Sequence, residues 1–236
     1  MRNYISYGIL LVLFVYNVEG QQPTTTKNYK GKSVFDLKNY KGDPRDRLIF
    51  EVNHTGWLGT PGNIKMDWKC ISFNFACMFD KPIGASNFSF GFGLGVYCHN
   101  FSSNADFVDK LDSTNNNLST VIKPKTIPFT ANRYNEKSVE IPLELRIRTK
   151  SATMFKVMIG AKIGYVFADY KKTNDADGNI RRYDIKNINH LRYGINFRIG
   201  IESICLTACY YISEVFTSNG PQGITPYSIG IAIIPY

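Results

Sequence analysis

The chain is poor in the features that would place it in the commoner protein classes. Beyond residue 20 no apolar run approaches the ~20 residues that a membrane-crossing helix needs. Five cysteines (Cys70, Cys77, Cys98, Cys205, Cys209) make an odd count with no Cys-x-x-Cys pair. That argues against a disulfide framework and a thiolate metal site, and reads as small apolar fillers. Cys205 and Cys209 share a strand and stand roughly 13 Å apart at strand rise, too far to bond. Charged residues make up 20% of the chain, below the globular norm. The net charge of +9 is scattered, with no dense basic run beyond Lys171-Lys172 and Arg181-Arg182. That scatter argues against nucleic acid as a partner.

What the sequence has in abundance is alternation. Val139, Ile141, Leu143, Leu145 and Ile147 alternate with Glu140, Pro142, Glu144, Arg146 and Arg148. After a short polar break, residues 155–167 repeat the rhythm, with Lys156, Gly160, Lys162 and Gly164 on the even positions. A period of two means strands, and the short break predicts an antiparallel hairpin. The same rhythm predicts strands near 48–53, 65–79, 87–101, 191–201, 204–213 and 227–236, eight in all. Trp57 is expected in a Gly/Pro turn, 102–137 as a large loop, and 171–187 as a charged loop.

Alternation alone does not say which face points inward. The connections decide it, because they run longer, short, very long, short, long, very short, long. Short turns at one end and long loops at the other suit an all-β, eight-stranded antiparallel transmembrane β-barrel of the outer membrane, with the charged face lining the lumen. Residues 48–236 are the expected barrel. Residues 1–20, with Arg2 before an apolar core, read as a secretory signal peptide, and 21–47 as a polar periplasmic tether. The aromatic Tyr236 fits the terminal signal of bacterial barrels, although parity would turn it inward. A soluble lipocalin-like barrel, with the apolar face around a ligand, is the alternative fold.

An eight-stranded barrel is filled by its own side chains. The inward face is therefore expected to hold a salt-bridge network of Glu51, Glu140, Glu144, Arg146, Arg148, Lys156, Lys162, Arg192, Arg198 and Glu202. Glu144 is expected to pair with Lys162 or Lys156 on the neighbouring strand, and Gly91, Gly93 and Gly95 to make room for the arginines. Outer-membrane lipid, lipopolysaccharide and other envelope proteins are the expected partners, with no cofactor and no metal.

VEIPLELRIRTK from Val139, then FKVMIGAKIGYVF, LRYGINFRIGIE and the GPQGITPYSIGIAIIPY ending together resemble the PorT-like outer-membrane β-barrel proteins of Bacteroidetes. The resemblance covers roughly 48–236. It implies an accessory role in a cell-envelope machine, type IX protein secretion being the one tied to the founding member. It carries over no catalytic or ligand-binding residue.

An enzymatic alternative is a rim hydrolase or acyltransferase, pairing His99 or His190 with Asp169, Asp106 or Ser102. Parity counts against it, since His54 and Asp169 are expected to face lipid. Asp175-Ala176-Asp177-Gly178-Asn179 lacks the glycine and glutamate positions of an EF-hand loop and reads as a solvated tip. The Asn-x-Ser/Thr sequons, two of them in or at the end of strands, read as chance.

Overall fold

In a computed structural model, the described residues are 48–84, 86–111, 118–149, 153–183 and 185–235. The expectations for the leader, the tether and Tyr236 lie outside them. Among the described residues eleven strands run in order: β1 (Leu48–Leu58), β2 (Ile71–Pro82), β3 (Phe88–Ser102), β4 (Ala105–Leu111), β5 (Leu118–Pro124), β6 (Phe129–Arg148), β7 (Phe155–Asp175), β8 (Gly178–Arg182), β9 (Leu191–Ile201), β10 (Ile204–Tyr211) and β11 (Thr225–Ile233). Eight of them close a barrel in the order β6-β3-β2-β1-β11-β10-β9-β7, with β7 returning to β6 and every pairing antiparallel. The seam joins β1 to β11, with Glu51 opposite Ala232 and Thr55 opposite Ser228.

The period-two pattern becomes an inverted barrel. Phe50, Phe73, Leu143, Ile159, Ile195 and Ile231 are exposed on the outside, whereas Arg146 is 0% and Arg198 1% exposed on the inside. A water-soluble fold would bury the first set and expose the second. A barrel in hydrocarbon does the opposite, because all its backbone bonds close between strands and its apolar side chains meet lipid.

Three connections at one end are short: β2–β3, β6–β7 and β9–β10. The β9–β10 turn has two residues, and Glu202 adopts φ 51 in it. That is the backbone glycine takes without strain. The Glu202 carboxylate accepts a 2.6 Å hydrogen bond from the Met154 backbone N–H in the neighbouring turn. Two effects therefore oppose each other. Glu202→Ala is expected to lower the unfolding midpoint by losing a bond worth about 1 kcal/mol. Glu202→Gly, which also relieves the backbone, is expected to leave the midpoint near the parent. Thermal melts of the three proteins in one detergent check this, and equal losses in both variants would refute it.

The opposite end is more ordered than its polar sequence suggests. Instead of one large loop over 102–137, β4 and β5 form a hairpin and β6 begins at Phe129. Likewise the expected 171–187 loop is largely strand, since β7 runs to Asp175 and pairs with β8. Trp57 is not in a turn but at the end of β1, buried among Phe101, Phe107, Tyr134, Phe216 and Ile224. Its ring lies 5.0 Å from Phe101 and 5.9 Å from Tyr134. This cluster roofs the lumen at the long-loop end. Asp106 and Asp109 of β4 bind Lys171 and Arg182, tying the β4–β5 hairpin to β7 and β8. Lys125 donates to Asp175 at 2.8 Å, which holds the Lys125 ammonium above its ordinary value.

Candidate functional site: the charged lumen

Glu51 of β1, Glu144 of β6 and Arg198 of β9 come from three sides of the barrel and meet inside it. Arg198 Nε donates to Glu51 Oε1 at 2.9 Å, and its Nη1 contacts Glu144 Oε1. Glu51 Oε2 accepts from Asn74 at 2.8 Å and lies 4.0 Å from Lys162 Nζ. The Lys162 ammonium also stands 4.2 Å from the Tyr97 ring centroid, a cation–π contact in a dry site. Glu144 Oε2 accepts both Nε (3.0 Å) and Nη2 (2.8 Å) of Arg146, while Asn196 donates to Oε1 at 2.9 Å.

Glu144 therefore does not pair with Lys162 or Lys156 on β7. Its partners are Arg146 on its own strand and Arg198 one strand beyond β7. The reason is Gly160, which lies directly opposite Glu144 on β7 and leaves no side chain between them. A Cβ on Gly160 would stand 2.0 Å from the Leu143 carbonyl oxygen and 2.9 Å from Glu144 Cγ. The carboxylate thus passes over β7 and reaches β9. Gly91 plays a similar part on the other flank, where a Cβ would come within 2.5 Å of Arg146 Nε.

Toward the short-turn end, Asp80 contacts Arg148 Nη2 at 2.7 Å and Arg146 Nη1 at 3.9 Å. Lys156 is fully buried opposite Arg148. Ile49, Met78, Met158 and Ile234 belong to an apolar cluster that fills space at this end. Glu202 is a correction: it sits in the β9–β10 turn and bonds Met154 N–H, so the lumen wall ends before it. Toward the long-loop end, Arg192 grips Glu136 with two bonds of 2.8 and 2.6 Å. Its Nη1 also satisfies the carbonyls of Asn189 and Glu214. Glu140 accepts from Ser138 at 2.7 Å and from Tyr211 at 3.0 Å, and His99 Nε2 lies 3.2 Å from that Tyr211 oxygen.

Sequence reasoning missed Asp80 and Glu136. Asp80 falls in a stretch that reads as a turn, although β2 continues to Pro82, and Glu136 falls within the expected loop. The alternation of Asn132, Tyr134, Glu136 and Ser138 with exposed or half-exposed neighbours was the available signal.

Four of the rim groups considered for catalysis have other partners. His99 is 3% exposed and bound to Tyr211 inside the barrel. His190 is exposed, with Nδ1 3.0 Å from the Val166 carbonyl and its ring stacked on Tyr165. Asp106 binds Lys171, and Ser102 Oγ lies 3.5 Å from Asp67. Asp169 does not face lipid as parity implied. The β6–β7 register shifts at Lys137/Ser138, so Phe167 is an extra residue and Asp169 stands opposite inward-facing Glu136. His54 does face outward.

A family model described as outer membrane protein beta-barrel domain matches residues 52–213, well over half of the 236-residue chain. No curated protein matches, and no solved structure matches.

Proposed function

Because the chain belongs to the outer membrane protein beta-barrel domain family and is an outer-membrane barrel, we propose that it acts as a non-catalytic, sealed barrel serving a larger envelope machine. The observation that carries the reading is the lumen. Arg146, Arg192, Arg198, Lys156 and Lys162 all lie inside it with at most 3% exposure. Glu51, Glu136 and Glu144 bind the three arginines, Glu51 lies 4.0 Å from Lys162, and an aromatic roof closes one end. Charges this deeply enclosed are tolerable only when paired, and a paired, filled lumen has no room for a water column.

A sealed barrel offers a cell an anchor and two presented surfaces, not a channel. The resemblance to PorT-like proteins points to type IX secretion as the machine, and the structured long-loop end supports a role in contacting other components. A hydrolase would need a nucleophile, base and orienter in mutual reach. Of the groups considered for it, His99, His190, Asp106 and Ser102 are bonded to Tyr211, Val166, Lys171 and Asp67 instead.

Planar-bilayer recording tests the sealed lumen. The purified barrel is expected to give no steady conductance across the voltage range that opens porins, and regular single-channel steps would refute the reading. Affinity isolation from native envelopes tests the machine. Secretion-apparatus components should co-purify at fixed stoichiometry, and a barrel recovered alone would sink that half of the proposal.

A further inference from the structure

Above the lipid-facing belt, β6, β7 and β8 continue as a three-stranded sheet at the long-loop end. That end is extracellular in a barrel whose tight turns face the periplasm. The register shift at Phe167 sets which side chains point outward there. Inward, Lys171 and Thr173 are buried, and Lys171 and Arg182 bind Asp106 and Asp109. Outward, Arg133 stands directly opposite Lys172, and Lys172 directly opposite Arg181.

Three cations thus form one row across adjacent strands, at a spacing of about 4.8 Å per strand. Like charges placed directly opposite destabilise a sheet. Yet among the described residues none of the three has an ion-pair partner, and the buried Nε of half-exposed Arg133 has no hydrogen-bond partner. Among the described residues, Asp106 and Asp109 of this end bind Lys171 and Arg182, and Asp175 binds Lys125. Asp67, on the loop beside Ser102, accepts from Ser102 Oγ and from the Lys69 backbone N–H.

The surroundings are those of a membrane surface. Lys137 lies on the same strand as Arg133, nearer the belt, and is exposed. Tyr165 and Phe167 are exposed where the belt ends, and Tyr170 and Tyr183 pair beside the row with centroids 5.7 Å apart. On the loop that bonds to Ser102, the strand neighbour of Arg133, Trp68 is 75% exposed with the Lys69 ammonium 5.8 Å from its ring. Aromatic rings and basic side chains at this height sit among lipid headgroups.

We propose that Arg133, Lys172 and Arg181 bind the phosphate groups of the phosphorylated glycolipid of the outer leaflet, with Tyr170 and Tyr183 against its sugars. An anion seated across the row relieves the repulsion that the register imposes. Its position at the edge of the belt selects a headgroup whose acyl chains run down the wall of β6 and β7. The inference rests on the outer-membrane placement and not on the sealed lumen, so conductance does not bear on it.

The test uses the full barrel reconstituted in phosphatidylcholine nanodiscs carrying bisphosphorylated lipid A, with retained lipid read by native mass spectrometry after delipidation. The parent should retain lipid A and should not retain its dephosphorylated form. Removing a surface cation weakens association by about fivefold, so R133Q/K172Q/R181Q should lose about 100-fold. K110Q/K123Q, on the β4–β5 hairpin, should bind as the parent does, and so should parent protein in 10 mM inorganic phosphate if the whole glycolipid is the ligand. Unboiled gels in phosphatidylcholine alone establish that each variant folds; if the triple variant does not, K172Q gives the same comparison with a fivefold loss. Equal retention by the row variants, equal retention of the dephosphorylated lipid, equal loss in K110Q/K123Q, or displacement by free phosphate would each overturn the site.

Discussion

Arg198→Ala is expected to be the most damaging single substitution in the lumen. The guanidinium touches both Glu51 and Glu144, and both carboxylates are almost wholly buried. Removing it leaves two anions facing each other's field, with Lys162 at 4.0 Å from one and Arg146 bonded to the other. Breaking a buried pair by deleting one partner costs about 3–5 kcal/mol, chiefly through the charge left behind. The temperature at which the folded band disappears from unboiled gels should fall clearly. Arg198→Lys, which keeps a cation within reach of both carboxylates, should lose clearly less than Arg198→Ala. An unchanged midpoint in Arg198→Ala would mean that water reaches Glu51 and Glu144, and the filled lumen would then be wrong.

Gly160→Val should prevent the barrel from forming at all. The neighbouring Leu143 carbonyl oxygen occupies the place of the missing Cβ, at 2.0 Å, and Glu144 Cα lies 2.9 Å away. A flexible side chain could swing aside, but a carbonyl within a strand ladder cannot move without tearing the ladder. The β6–β7 hairpin would separate at the level where Glu144 crosses to Arg198. Ala161→Val places the same side chain one residue on, where it faces lipid. It should fold as the parent does. Refolding yield in detergent, scored by the shift between boiled and unboiled samples, should be near zero for the first and normal for the second. Similar yields would show that β7 has slack the geometry denies.

How much of this was legible depends on what each level of structure requires. Strand existence and facing need only period two, and that survives in the sequence: Glu51, Glu140, Arg146 and Arg198 were assigned inward from parity alone, and all are buried. Parity fails where one residue is inserted. Nothing in the composition around Phe167 announces the register shift, so Asp169, two residues beyond it on the same strand, was assigned outward where it stands opposite inward-facing Glu136. The partner of Glu144 was illegible for a different reason. It depends on a glycine opposite and on which residue two strands away lies level, both of which follow from register across three strands. Asp80 and Glu136 were missed because strand ends are decided by what the next strand offers for pairing. The aromatic roof around Trp57 joins β1, β3, β4, β6 and the last loop, and no local pattern reports such a gathering.

The seam between β1 and β11 carries a consequence for how the chain acquires its shape. Seven of the eight pairings in the barrel wall join wall strands that follow one another along the chain, and each can begin as soon as its two strands exist. The eighth brings Phe50 to Ile233 across almost the whole wall. Its entropy of closure is the largest of the set, although it grows only with the logarithm of the separation. The contacts it completes include the approach of Glu51 to Arg198. The order of events is thereby imposed: hairpins first, the ring last, with the central ion pair forming only as the ring shuts. Contact order makes that final step the slow one, and a chain stalled before it would hold an unmatched carboxylate on one free edge and its arginine near the other.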